Sequence, residues 1–186
     1  MIKQAYKNNI NNISTLIYDA IHNVANTLTG ENEDKKILET LDYYIKMDVC
    51  RLSYNNIYTY IIDNQNVGIL LAYSSNDVEK LDKPMLEHLR RKNIFLDSFE
   101  KECFEDEFYI DTVSVSTSFQ GRGIAKELFS FAEQKAKELD FKKLSLLVDF
   151  ENPKAKALYE RLGFKDNEIL KVSGSNFYHM IKQLDL

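Results

Sequence analysis

A chain of 186 residues with 44% apolar side chains can bury one substantial core but not two of ordinary size. Its net charge of −5 argues against a general nucleic-acid binder, which carries a basic field over its contact face. Two cysteines, Cys50 and Cys103, stand far apart and without metal-ligand spacing, so no disulfide framework or metal site is expected and a reduced, cytoplasmic setting fits best.

The opening Met1-Ile-Lys-Gln-Ala-Tyr-Lys7 lacks the pattern of a secretory signal, and residues 2–6 read as a first strand. A helix is predicted over about 9–28, where Ile10, Ile13, Leu16, Ile17, Ala20, Ile21 and Val24 keep the i, i+3, i+4 spacing of a buried face. Gly30 supplies its stop. A second helix, about 32–49, carries Ile37, Leu38, Leu41, Tyr44, Ile45 and Val49 on one side. His22 and His88 read as surface helix residues. Ile57–Ile62 and Val67–Ser74 flank the turn cluster Asp63-Asn-Gln-Asn66 and predict a hairpin. The longest apolar runs, such as Val67–Tyr73, are too short to cross a bilayer. Pro84, ahead of Met85, Leu86, Leu89 and Arg90, predicts a helix with proline in its first turn. Residues 98–107 are strongly acidic and read as irregular or partly helical. They either wall an acceptor pocket or form a solvated insertion.

Residues 108–125 are the most informative stretch. An alternating strand at 108–116 runs into Gln120-Gly121-Arg122-Gly123 and then directly into an amphipathic helix at 121–139, with Ile124, Ala125, Leu128, Phe129, Ala132, Ala136 and Leu139 on its buried face. Glycines there allow positive φ and close approach of the backbone. A helix N-terminus opening from such a turn presents bare N–H groups to an anion such as a diphosphate. A nucleoside-triphosphate loop needs Gly-x-x-x-x-Gly-Lys-Ser/Thr, which is absent. A dinucleotide fingerprint needs glycine or alanine where Lys126 stands. Leu144–Val148 follows as an interior strand, Pro153 begins a helix that ends at Gly163, and 166–172 and 176–184 close as a hairpin around Gly174.

The spacing Gln120-x-x-Gly123-x-Ala125 resembles the Gln/Arg-x-x-Gly-x-Gly/Ala motif of the GNAT superfamily of N-acetyltransferases. Downstream, Asn152-Pro-Lys-Ala155-Lys-Ala-Leu158-Tyr159-Glu-Arg-Leu162-Gly163-Phe164 resembles that superfamily's Asn-x-x-Ala-x-x-Leu-Tyr-x-x-x-Gly-Phe signature. The likeness is strong over 108–165 and an outline elsewhere. It implies one GNAT-like domain over 1–186: an α/β fold with a mixed, mostly antiparallel sheet, helices on its flanks, and strands at 108–116 and 144–149 that splay apart to admit the cofactor. Dimers are common in the superfamily, and the oligomeric state is left open between a monomer and a homodimer.

The resemblance further implies an acetyl-coenzyme A-dependent enzyme that moves an acetyl group directly to an amine of a small molecule or peptide. Val113, Ser114 and Val115 would bind the pantetheine arm through the main chain, with the Val115 N–H meeting the oxyanion. Gly121, Arg122, Gly123, Ile124, Ala125 and Lys126 would wrap the diphosphate. Arg122, Lys126, Lys154 and Lys156 flank both motifs as phosphate partners or as solvated helix residues. Asn152 would contact the cofactor arm, or serve as helix N-cap before Pro153. Tyr159, whose phenol is protonated at neutral pH, would be the general acid for the departing thiolate.

The base is less defined. N-terminal protein acetyltransferases of the superfamily carry a glutamate five residues before the asparagine, where this chain has Leu147. Asp111 shares strand parity with Val113 and Val115 and points with them unless a bulge intervenes. It reads as a base or as a structural aspartate. His179, on the last strand, has the intrinsic pKa of a base and could reach the acceptor end of the cleft, or be structural. Two alternatives stand beside the enzyme reading: an acyl-coenzyme A sensor, and an acyltransferase with a longer donor or a hydroxyl acceptor.

Overall fold

The computed structural model describes residues 1–185. In chain order they form β1 (Ile2–Gln4), α1 (Ile13–Ile21), α2 (Val24–Thr29), α3 (Asp34–Ile45), β2 (Ile57–Ile62), β3 (Gln65–Ser74), α4 (Val78–Arg91), β4 (Phe108–Val115), α5 (Ile124–Glu138), β5 (Lys143–Asp149), α6 (Pro153–Arg161), β6 (Lys165–Val172) and β7 (Ser175–Gln183). The strands make one seven-stranded sheet in the order β1-β2-β3-β4-β5-β7-β6. Only β4 and β5 run parallel; the other neighbours are antiparallel.

Period-two patterning puts a core on each face of the sheet. Ile69, Leu71, Tyr73 and Tyr109 face α1, α3 and α4, where Ile13, Ile17, Leu41, Tyr44 and Met85 close over them. Leu70, Ala72, Ile110 and Leu146 face α5, against Leu128, Phe129 and Ala132. No helix among the described residues is long and apolar enough to cross a membrane.

Three elements depart from expectation. The predicted helix over 9–28 is two helices, broken at His22, where φ is +43° and ψ −118°. Apolar spacing runs on through Val24, so periodicity alone hides the break. Pro84 lies within α4, not in its first turn, because the helix starts at Val78 behind a 3-10 turn whose Asn76 N–H is capped by Ser74. Proline removes an amide donor from the helix interior. The carbonyl that loses its helical donor is that of Lys80, and next to it the Leu81 carbonyl accepts the backbone N–H of Arg51 at 3.0 Å. Burial of Leu81, Met85 and Leu89 compensates for the interruption. Third, β4 carries a bulge: Leu71 pairs with Thr112 and Ala72 with Ile110, which leaves Asp111 as the extra residue.

The hairpin turn is tight, with Asp63 and Asn64 both in the left-handed region, as a two-residue primed turn requires.

Candidate active site

β4 and β5 pair over only Phe108–Leu144, Tyr109–Ser145 and Ile110–Leu146. Beyond those rungs β4 continues to Val115 and β5 to Asp149 with no partner between them, so the sheet opens into a wedge. A cleft of about 710 Å³ occupies it. Val113, Leu147, Asn152 and Tyr159 line one part, His22 and Asn23 at the α1–α2 break another, and Val172, Ser173 and Phe177 of the last hairpin a third.

The glycine turn lies at the end of β4. Gly121 and Gly123 adopt φ of +75° and +81°, and a Cβ added at either would meet nothing within 4 Å. The space above the turn is therefore open, and the glycines serve its backbone conformation. Gln120 donates its amide to the Val115 carbonyl (3.1 Å) and ties the turn to the strand. Ile124 is buried, Ala125 half-buried and Lys126 exposed. Arg122 lies over the Phe119 ring at 4.8 Å and donates to the Ser118 carbonyl. Lys156 is engaged by Glu160 and Asp166.

Across the wedge, Asn152 caps α6, its side chain accepting the Ala155 N–H at 3.1 Å. Both readings of that residue coexist: the carbonyl oxygen serves the cap while the residue lines the cleft. Tyr159, nearly two turns into α6, lays its ring edge-on to Phe129 at 5.4 Å. Burial raises its phenol pKa, which keeps the hydroxyl protonated at neutral pH.

The bulge separates Asp111 from Val113 and Val115. Those valines pack on the α5 side, opposite Leu70 and Gly68 of β3, with Ser114 between them opposite Ile69. Asp111 turns to the other face, where Oδ2 accepts the Tyr73 hydroxyl (2.6 Å) and Oδ1 the Thr112 hydroxyl (2.9 Å). Equal parity thus does not give equal direction here. Burial, aided by the Glu102 charge, lifts the Asp111 carboxyl to about 6, against the opposing pull of Arg51 and the two hydroxyls.

His179 is fully enclosed and lies outside the cleft lining. Its Nε2 stands 3.0 Å from Glu107 Oε2, its Nδ1 faces Asn167, and Phe104 packs edge-on against the ring.

Sequence reasoning passed over Arg51, Glu102 and Tyr109. All three line the cleft with Asp111. Arg51 lies in a turn with no periodic signal and Glu102 among many carboxylates, so neither stands out. The parity of Tyr109 with Asp111 was the available clue. Part of the acidic stretch is engaged, since Glu102 holds Arg51, Glu107 meets His179 and Glu100 accepts the Ser173 N–H, while Lys101, Glu105 and Asp106 are exposed.

A parallel pair that parts after three rungs, a tyrosine on the cleft wall and a glycine turn between β4 and α5 match the splayed-strand fold that the sequence resemblance anticipated. The acetyltransferase (GNAT) family profile matches residues 32–164, and the chain belongs to that family. A solved acetyltransferase structure is 29% identical over the whole of both chains, with a TM-score of 0.81. An N-acetyltransferase from Staphylococcus aureus Mu50 is 25% identical over 97% of this chain and 99% of its own, with a TM-score of 0.80. The uncharacterized N-acetyltransferase YycN of Bacillus subtilis is 31% identical over 71 residues, 38% of this chain and 46% of that protein. The match therefore spans about half of that relative.

Proposed function

We propose that the chain transfers an acetyl group from acetyl-coenzyme A directly to an amine of a small molecule or peptide, within the wedge between β4 and β5. The parting of those strands after Ile110 and Leu146 carries the reading. It leaves one edge of β4 without a strand partner, and an extended pantetheine arm can hydrogen-bond along such an edge. The open space over Gly121 and Gly123 suits a diphosphate gripped by the amides of residues 121–126 at the start of α5.

Each chemical need has a group. An acceptor amine arrives as an ammonium, with a pKa near 10 if lysine-like, and must lose a proton before it attacks. Asp111, whose carboxyl sits near 6, is a stronger base than an ordinary carboxylate and is ionised at neutral pH. Nitrogen then bonds to the carbonyl carbon while the Val115 N–H supports the oxyanion. As the carbon–sulfur bond breaks, Tyr159 gives its proton to the thiolate, and the proton released from nitrogen returns the tyrosine to its resting state through solvent. Asn152, with its carbonyl spent on the α6 cap, offers its NH₂ to the cofactor arm. His179, held by Glu107, serves to anchor the acidic segment against β7.

Release of free thiol from acetyl-coenzyme A across a panel of amines tests the reading. Amine-dependent release is expected. Calorimetric binding without release under every acceptor, hydroxyl compounds and longer acyl thioesters included, would make the chain a sensor.

A further inference from the structure

Asp111 stands among more charge than its own strand supplies. Arg51, from the segment before β2, has a side chain only 3% exposed. Its Nε and Nη2 donate to the Asp82 carboxylate at 2.7 and 3.0 Å, and its Nη1 donates to Glu102 Oε1 at 2.6 Å. The other Glu102 oxygen accepts the Tyr109 hydroxyl at 2.8 Å. Tyr109 packs edge-on against Tyr73 at 5.7 Å, and Tyr73 donates to Asp111. One cation thus holds two buried or half-buried carboxylates. Both of its donor faces go to Asp82 and Glu102, and among the described residues it makes no hydrogen bond to Asp111.

Resting on the reading of Asp111 as base, we infer that Glu102 is a positioning residue for the transfer: by engaging Nη1 of Arg51 it keeps the guanidinium off Asp111 and leaves that carboxylate free to take the acceptor's proton. The physical reason is a choice between two pairings. Bonded to a buried guanidinium, Asp111 would stay ionised far into acid and would accept a proton poorly. With Arg51 claimed by Glu102 and Asp82, burial and the Glu102 charge work in the other direction. The remaining groups around Asp111 fit this balance. Tyr73 and Thr112 donate to it, the thiols of Cys50 and Cys103 are held neutral by burial, and His22, Asp149, Glu151 and Tyr159 line the cleft beyond. The acidic segment, whose pattern suggests only a charged surface, supplies the residue that decides the pairing.

The test is the pH dependence of kcat/KM, which reports the free enzyme's base, in Glu102→Gln, Arg51→Gln and Asp111→Asn beside the wild type. Each variant's fold is checked by thermal unfolding. Loss of the Glu102 charge is expected to move the acidic limb to lower pH by about one unit, with Glu102→Asp returning it toward the wild type. Loss of the Arg51 cation is expected to move the limb upward, so either variant that folds decides the sign. A carbon-13 titration of the Asp111 carboxyl should follow the same shifts without turnover. An inactive Asp111→Asn with an unmoved limb in the other variants would overturn the role of Glu102 while leaving Asp111 as base. Full activity in Asp111→Asn would remove the base reading and this inference together.

Discussion

Asp111 is held at a cost to the fold. Its folded carboxyl lies near 6 against an ordinary value of 3.8. The associated stability is therefore complete below about pH 4 and lost as pH rises through 6. Asp111→Asn should consequently gain stability relative to the wild type as pH rises from 4 to 8, while thiol release collapses. Urea unfolding at pH 8 and pH 4 checks this. Tyr159 makes the complementary case. Its ring packs against Phe129 and Phe164, so Tyr159→Phe keeps the packing and removes only the hydroxyl. Thiol release should fall by about 10²–10⁴-fold with coenzyme A affinity nearly unchanged by calorimetry. Unchanged turnover would reject Tyr159 as the acid.

Among the elements, the turn between β4 and α5 does the most with the fewest residues. Gly123 is the cap of α5 at φ +81°. Gly123→Val should cost about 1–2 kcal/mol in backbone strain without a packing clash, since no atom lies within 4 Å of the added Cβ. Coenzyme A binding should nonetheless be lost in calorimetry, because the branched side chain fills the space the diphosphate needs. This element was readable in sequence because glycine spacing and helix periodicity act within a dozen residues. Asn152 was readable for the same reason, as a local cap. The α1–α2 break was not, because His22 carries no glycine or proline signal and the apolar stripe continues past it. The β4 bulge was equally silent. It arises from register against β3, and only the paired strand reveals that Asp111 and Val113 part company.

For the whole molecule, sequence order and topology divide the site into a legible half and a hidden one. Val113, Gly121, Gly123, Asn152 and Tyr159 fall in two compact motifs around the parallel pair; Val113, Asn152 and Tyr159 line the cleft, and the glycines follow β4 at the start of α5. Arg51, Asp82 and Glu102 come from three separate segments, and only the packed chain brings them to Asp111. Long-range charge pairing leaves no local pattern to read. The central claim is that the wedge between β4 and β5 holds an acyl-coenzyme A with its diphosphate on residues 121–126. Titration of isotope-labelled protein with acetyl-coenzyme A, followed through backbone amide resonances, tests it most directly. Saturable shifts concentrated at Val113–Val115, Gly121–Lys126 and the α6 start are predicted; shifts confined to another surface, with these amides unmoved, would contradict it.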